Sequence, residues 1–338
     1  MKAGKKAAVA LLVLALIFTV VAGMLGAKFA LDKLNTIFGK LDALEDNLGS
    51  RIDLASHYSY IGMEKTEGLQ YALAKSNDIY EFDYSWVENQ PPLVAHAFGG
   101  IKDLDIREGE TEEYTYTNSR EAFYENYKLG HRIFEVDFEL TSPGNTLVAY
   151  HDEESWRSWA GVDDSIEFSH ELFMSTPISG KFSPMDYRDI IDLMVEYPDI
   201  YIITDSKYLD KVTVFLEFSQ LVRYAEETDP TVLDRLVPQI YHEDMLQWVM
   251  DIYPFKSVVY TLYASARTPE QVYDFCESSG VKMVTCRDEL SQETIDMWSQ
   301  LGIMISVHTI NDNDRADELM AQGIDLLYTD FLSPKDFE

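Results

Sequence analysis

From residue 93 to the C-terminus, hydrophobic and polar positions alternate between two periods. Runs in which apolar residues recur with period two read as β-strands, because successive strand side chains point to opposite faces. They lie at 93–98, 133–138, 200–205, 236–241, 257–262, 281–285, 302–308 and 325–329, with a short extra run at 147–150. Stretches at about 118–129, 184–197, 210–227, 243–252, 268–279, 291–301 and 312–322 carry apolar residues at helical spacing and read as amphipathic helices. The first begins with a capping signature, Asn118 followed three residues later by Glu121. Strands separated by helices predict an α/β fold, and the count of eight favours a (β/α)8 TIM barrel of the usual size, about 250 residues, over a doubly wound open sheet. The barrel is expected over 91–338, starting just after Gln90-Pro91-Pro92.

Ahead of it the pattern changes. Lys2, Lys5 and Lys6 precede an uncharged run from Ala7 to Ala27, long enough for a bilayer-spanning helix. Basic residues before the run favour a cytoplasmic N-terminus. Residues 1–30 are therefore expected to be a cytoplasmic tip and single-pass membrane anchor, with the barrel outside the cytoplasm at the cell membrane. A cleaved signal peptide is the alternative, Gly26-Ala27 supplying small residues for processing. In 31–90, Leu34, Leu41 and Leu48 recur every seven residues, with Ile37 and Leu44 as a second seam. That spacing predicts a helical stalk which either pairs in a homodimer or packs on its own domain.

Composition narrows the partners. A net charge of −32 repels nucleic acid and anionic headgroups, while 46% hydrophobic content suits a packed core. Two cysteines, Cys276 and Cys286, make no disulfide framework and read as buried free thiols.

Barrel chemistry sits at the C-terminal ends of strands. Glu135 and Asp137, two apart, share a strand face; the turn Ser142-Pro143-Gly144-Asn145 and the strand after it deliver His151-Asp152 beside them. His96 ends the first strand, before Gly99-Gly100, glycines that would let backbone approach a ligand closely. Asp205 and Lys207 end the third. Glu135, Asp137 and Asp205 would form an all-oxygen site for Mg²⁺ or Ca²⁺, with Lys207 on a phosphoryl oxygen. His96 and His151 would divide the acid and base roles, Asp152 orienting the second. Phe98, Gln239, Tyr241, Tyr263 and His308 are candidate pocket residues. No Cys or His cluster has zinc spacing. The bland readings are acids facing water, structural histidines and aromatics in the core. A sugar-processing barrel would need its carboxylates set about 5 Å or more apart across the sugar and leaves the histidines and Lys207 without roles.

Taken in order, these motifs resemble the glycerophosphodiester phosphodiesterase family, within the phosphatidylinositol-phospholipase-C-like phosphodiesterases. The resemblance rests on His96-Ala97-Phe98-Gly99-Gly100, Asn118-Ser119-Arg120-Glu121-Ala122-Phe123, Glu135-Val136-Asp137, His151-Asp152 and Asp205-Ser206-Lys207. It continues through Thr309-Ile310-Asn311-Asp312 and Gly323-Ile324-Asp325 to Thr329-Asp330, spanning about 93–333. It implies a metal-dependent TIM barrel that cleaves phosphodiesters, with His96 and His151 as acid and base and Glu135, Asp137 and Asp205 on the cation. The chain departs from the family pattern at Ala97, where Arg is usual, at Tyr116-Thr117-Asn118, where Pro-Glu-Asn is usual, and at Asp205, where Glu is usual. His308 stands where an aromatic is usual. Asp205-x-Lys207 resembles the venom and actinobacterial phospholipase D group. The expected substrates are a glycerophosphodiester, a lysophospholipid or an envelope glycerophosphate polymer, attacked by water or by a neighbouring hydroxyl that leaves a cyclic phosphate. A barrel that has lost catalysis and binds a phosphorylated ligand or partner is the competing reading.

Overall fold

The computed structural model describes residues 79–337 apart from 89, 108–109, 143–144 and 264. The chain enters the barrel through β1 (Leu93–Ala95) and a tight turn at His96–Phe98, then forms a hairpin of β2 (Ile101–Arg107) and β3 (Glu110–Tyr114). Helix α1 (Arg120–Leu129) leads to β4 (Ile133–Leu140), which turns back into the short β5 (Leu147–Ala149). An excursion with α2 (Glu153–Ala160) and α3 (His170–Ser175) precedes α4 (Tyr187–Glu196). Strands then alternate with helices: β6 (Tyr201–Ser206), α5 (Lys211–Thr228), β7 (Leu236–Ile240), α6 (Glu243–Ile252), β8 (Val259–Thr261) and α7 (Pro269–Ser279). The chain closes with β9 (Met283–Arg287), α8 (Gln292–Gln300), β10 (Met304–His308), α9 (Asn313–Gln322) and β11 (Leu326–Thr329).

The parallel strands run β1-β4-β6-β7-β8-β9-β10-β11, and β11 pairs with β1 to close the ring. This is the expected eight-stranded barrel, with β5 added antiparallel outside β4. Helices pack their apolar stripes against it. On α5, Val214, Phe218, Leu221, Val222 and Ala225 recur at helical spacing and are all buried. Covering a ring such as Phe218 contributes about 1.5–3 kcal/mol before entropy is set against it.

Alternation along each strand gives the barrel interior two characters. Val94, Ile133, Ile203, Val237, Val259, Met283 and Leu326 form an apolar layer in one cluster with Trp86. Trp86 stacks on Tyr201 with ring centroids 4.5 Å apart, and its indole N–H donates to Ser257 Oγ at 2.9 Å. Residues just ahead of β1 thus seal the N-terminal mouth. Two positions further along the strands the interior turns polar, and the chemistry gathers there.

Some expectations are corrected. Among the described residues no helix is long and apolar enough to cross a membrane, so the expected cell-membrane location is not carried forward. The run at 7–27 and the heptads at 34–48 lie outside the described residues. Helix α1 is capped by Ser119, whose Oγ accepts from the Ala122 N–H, and not by Asn118. Cys276 and Cys286 are free and buried, as expected.

Candidate active site

Strand register sets the carboxylates. β4 and β6 pair with Asp137 directly opposite Asp205, and Glu135, two residues earlier, faces the same way. One oxygen from each lies within 4.8 Å of the others. Glu135 Oε2 accepts from the Ala97 N–H at 2.7 Å, while Oε1 is buried without a hydrogen-bond partner. Asp137 Oδ2 accepts from the Asn118 amide at 2.9 Å, and the Asp137 N–H donates back to Asn118 Oδ1 at 3.0 Å. Asp205 Oδ1 accepts from Gln239 Nε2 at 2.8 Å and from the Tyr241 hydroxyl at 2.7 Å. Lys207 Nζ donates to Asp137 Oδ1 and lies 3.0 Å from Asp205 Oδ2.

The charges act on one another at short range. Burial and the adjacent Asp137 push Glu135 well above the ordinary carboxylate range. Burial would raise Asp137 too, but Lys207, His151 and His96 outweigh it and hold the acid at about 2. Lys207 engages Asp137 and Asp205 but leaves the buried Glu135 Oε1 without a partner. This all-oxygen donor set fits a hard divalent cation.

Each candidate histidine is tied at one nitrogen. His96 Nδ1 pairs with Asp330 Oδ1 at 3.0 Å, across the seam where β11 meets β1, and His96 Nε2 lies 4.0 Å from Glu135 Oε2. Burial pulls the His96 imidazole down, yet the Asp330 hydrogen bond and the charges of Glu135 and Asp137 lift it to about 9. His151 Nδ1 bonds Asp152 Oδ2 at 2.5 Å, and Asp152 also caps α2 by accepting from the Ser155 N–H. Asp152 therefore orients His151, as expected. In both rings Nε2 is the nitrogen left for chemistry.

A cavity of about 890 Å³ opens above these groups. His96, His151, Glu135, Asp137, Asp205 and Lys207 all border it, and so do Gln239, Tyr241, Tyr263 and His308. Phe98 does not. Ala97, Phe98 and Gly99 have φ of 50°, 68° and 85°, so the strand alternation stops at Ala95. The turn drives the Phe98 ring into the core against Phe123 and Phe134, with centroids 5.6 and 5.8 Å away. Ala97 is fully buried, and its contribution to the site is its N–H. The two glycines serve packing, since a Cβ on Gly99 would come within 2.4 Å of Asn126 and one on Gly100 within 2.3 Å of Phe331.

Three contributors were not among the candidates. Asp330 orients His96 and is itself held by Asn311, whose amide donates to Oδ2 at 2.9 Å. Its position at the end of the eighth strand was the available signal. Asn118 clamps Asp137, which explains why it does not cap α1. Tyr116 packs edge-on against both imidazoles. Burial and the charges of Asp330, Asp137 and Glu135 push its phenol up to about 12.

Hydrolysis of a phosphodiester needs positive charge for the phosphoryl oxygens and proton donors and acceptors on either side of phosphorus. A barrel mouth equipped this way belongs with the phosphoric diester hydrolases. More narrowly, the glycerophosphoryl diester phosphodiesterase family matches residues 109–333, and the chain belongs to that family. A search of the curated proteins finds no match. Among solved structures, a phosphodiesterase from Oleispira antarctica in complex with the product sn-glycerol-3-phosphate superposes with a TM-score of 0.55 at 14% identity, covering 75% of this chain and 97% of its own. A glycerophosphodiester phosphodiesterase from Parabacteroides distasonis gives 0.53 at 17%, covering 74% and 97%. A barrel from Silicibacter pomeroyi gives 0.57 at 12%, covering 79% and 95%. At these identities the likeness is one of fold.

Proposed function

We propose that this protein hydrolyses a glycerophosphodiester, or a lysophospholipid-type diester with the same phosphoryl core, with Glu135, Asp137 and Asp205 holding one divalent cation. The observation that carries the reading is the buried, unpartnered Glu135 Oε1 beside oxygens of Asp137 and Asp205 within 4.8 Å. Bound there, a Mg²⁺ or Ca²⁺ ion supplies positive charge that stabilises the phosphoryl oxygens during displacement.

The remaining work falls to side chains. Lys207 swings from its two aspartates to a phosphoryl oxygen as a point charge. His96 and His151 present Nε2 on either side of phosphorus. One takes the proton of the attacking hydroxyl, and the other gives a proton to the departing alcohol. Asp330 and Asp152 hold each ring in the tautomer this requires. The Oleispira antarctica phosphodiesterase, solved in complex with the product sn-glycerol-3-phosphate, supports glycerophosphodiesters as the substrate class.

Phosphorus NMR of the full chain tests this with glycerophosphodiesters and lysophospholipids, in Mg²⁺, Ca²⁺ or chelator. The expected result is a cation-dependent phosphomonoester signal. A cyclic phosphate would replace water by a substrate hydroxyl as the nucleophile. Turnover that survives chelation would refute the carboxylate assignment, and none across the panel would refute the substrate class.

A further inference from the structure

Tyr116 stands where acid–base chemistry and cation binding give it no task. Its ring lies edge-on to His96, with centroids 4.5 Å apart at 83°, and edge-on to His151, with centroids 5.4 Å apart at 84°. One side chain therefore touches both candidate acid–base groups, which come from different strand ends.

The backbone that delivers it is held in a costly conformation. Tyr116 has φ of 55° and Asn118 has φ of 45°, a region non-glycine residues rarely adopt and one that persists only where the surroundings fix it. The fixing groups follow directly. Asn118 is clamped to Asp137 by hydrogen bonds of 2.9 and 3.0 Å. Thr117 Oγ1 and Ser119 Oγ lie 3.0 Å apart, and Ser119 caps α1. The loop bearing the ring is thus fastened to a carboxylate of the acid cluster and to a helix end.

The histidines need such a restraint. Each has its Nδ1 held by one aspartate, and a single hydrogen bond leaves an imidazole some range of tilt. His151 is the looser, with 39% of its side chain exposed and its aspartate on the very next residue. An edge-on aromatic contact opposes the tilt, because perpendicular rings lose attraction as the angle changes.

We propose that Tyr116 is a positioning residue whose ring spaces and orients the His96 and His151 imidazoles, the ring and not the hydroxyl being the working part. This rests on reading the two histidines as the acid–base pair. Displacing reacting groups by about 1 Å can cost on the order of 100-fold, which sets the scale of the effect.

Steady-state kinetics of the full chain with Mg²⁺ and a glycerophosphodiester, beside calorimetric Mg²⁺ titration, test the assignment. Tyr116→Ala should lower kcat by about 10- to 100-fold with little change in KM or Mg²⁺ affinity. Tyr116→Phe, which keeps the ring, should recover most of the lost kcat. A Phe variant as slow as the Ala variant would overturn the proposal in favour of a working hydroxyl. Unchanged or faster turnover in Tyr116→Ala would make the ring a gate, and a rise in KM alone would make it a substrate wall. If Tyr116→Ala melts early, Tyr116→Leu replaces it, filling the volume without an aromatic edge, and the same readings apply. His96→Ala and His151→Ala separate the layers. If they keep turnover, the underlying assignment fails; if they lose it while Tyr116→Ala does not, only the spacer role fails.

Discussion

If Glu135, Asp137 and Asp205 hold a divalent cation as proposed, Lys207 competes with it for the same oxygens, and the competition is measurable. The ammonium bonds Asp137 Oδ1 and lies 3.0 Å from Asp205 Oδ2, leaving Glu135 Oε1 as the cluster's unclaimed oxygen. Its own pKa is pushed up because the Asp137 and Asp205 charges outweigh burial. At that distance two unit charges attract by about 5 kcal/mol at an effective dielectric near 20. The mouth is open to water and the lysine stem can move, so about 1.5–3 kcal/mol is a reasonable share for a cation to recover once the ammonium is gone. Lys207→Met should therefore bind Mg²⁺ and Ca²⁺ about 10- to 100-fold more tightly than the parent. The same variant should turn over far more slowly, having lost its charge for the phosphoryl oxygen. Calorimetric titration at fixed pH and ionic strength reads the first effect, and product formation at saturating metal reads the second. Equal or weaker cation binding in Lys207→Met would refute the shared-oxygen argument, whatever happened to the rate.

Three further outcomes follow from other contacts. Asp330→Asn removes the anionic partner of His96 Nδ1, so kcat should fall on the order of 100-fold with cation affinity retained; an unchanged kcat would remove Asp330 from the mechanism. His131 is buried, pairs through Nε2 with the Leu332 carbonyl at 3.0 Å, and is pulled down to about 4 by burial and the Arg132 charge. The unfolded chain then takes up a proton at higher pH than the native one. Stability is full above about pH 6.5, and on the order of 3 kcal/mol is lost as pH falls to about 4. Urea titrations across that range should show a smaller loss in His131→Asn, and parallel curves would contradict the assignment. Phe98→Ala should cost about 3–5 kcal/mol in the same assay, as expected for a core ring; a loss under about 1 kcal/mol would return Phe98 to the pocket wall.

The sequence pattern reached the barrel because its signal is local. The run predicted at 268–279 appears as Pro269–Ser279, opened by a capping box between Thr268 and Gln271, and apolar stripes such as that of α5 mark the inward faces. The carboxylates and histidines were legible for the same reason, since the Glu135–Asp137 spacing and the strand-end positions need no knowledge of distant residues. The β2–β3 hairpin was not, because its residues are dominated by charge and carry no apolar alternation. Phe98 was misplaced because period two would set it on the same face as His96, and the left-handed turn at Ala97 breaks that period. Asn118 has the composition of a helix cap, and its bond to Asp137 exists only once β4 lies beside it. Asp330 is invisible as a partner of His96 until the ring is known to close.

That closure also brings together residues far apart in the chain. His96 and Asp330 stand 234 positions apart, each directly after one of the two strands that pair to close the ring. The three carboxylates Glu135, Asp137 and Asp205 are all in place by the end of β6. The β1–β11 seam thus completes the site: a barrel open there would keep its carboxylate cluster and lose the aspartate that orients His96.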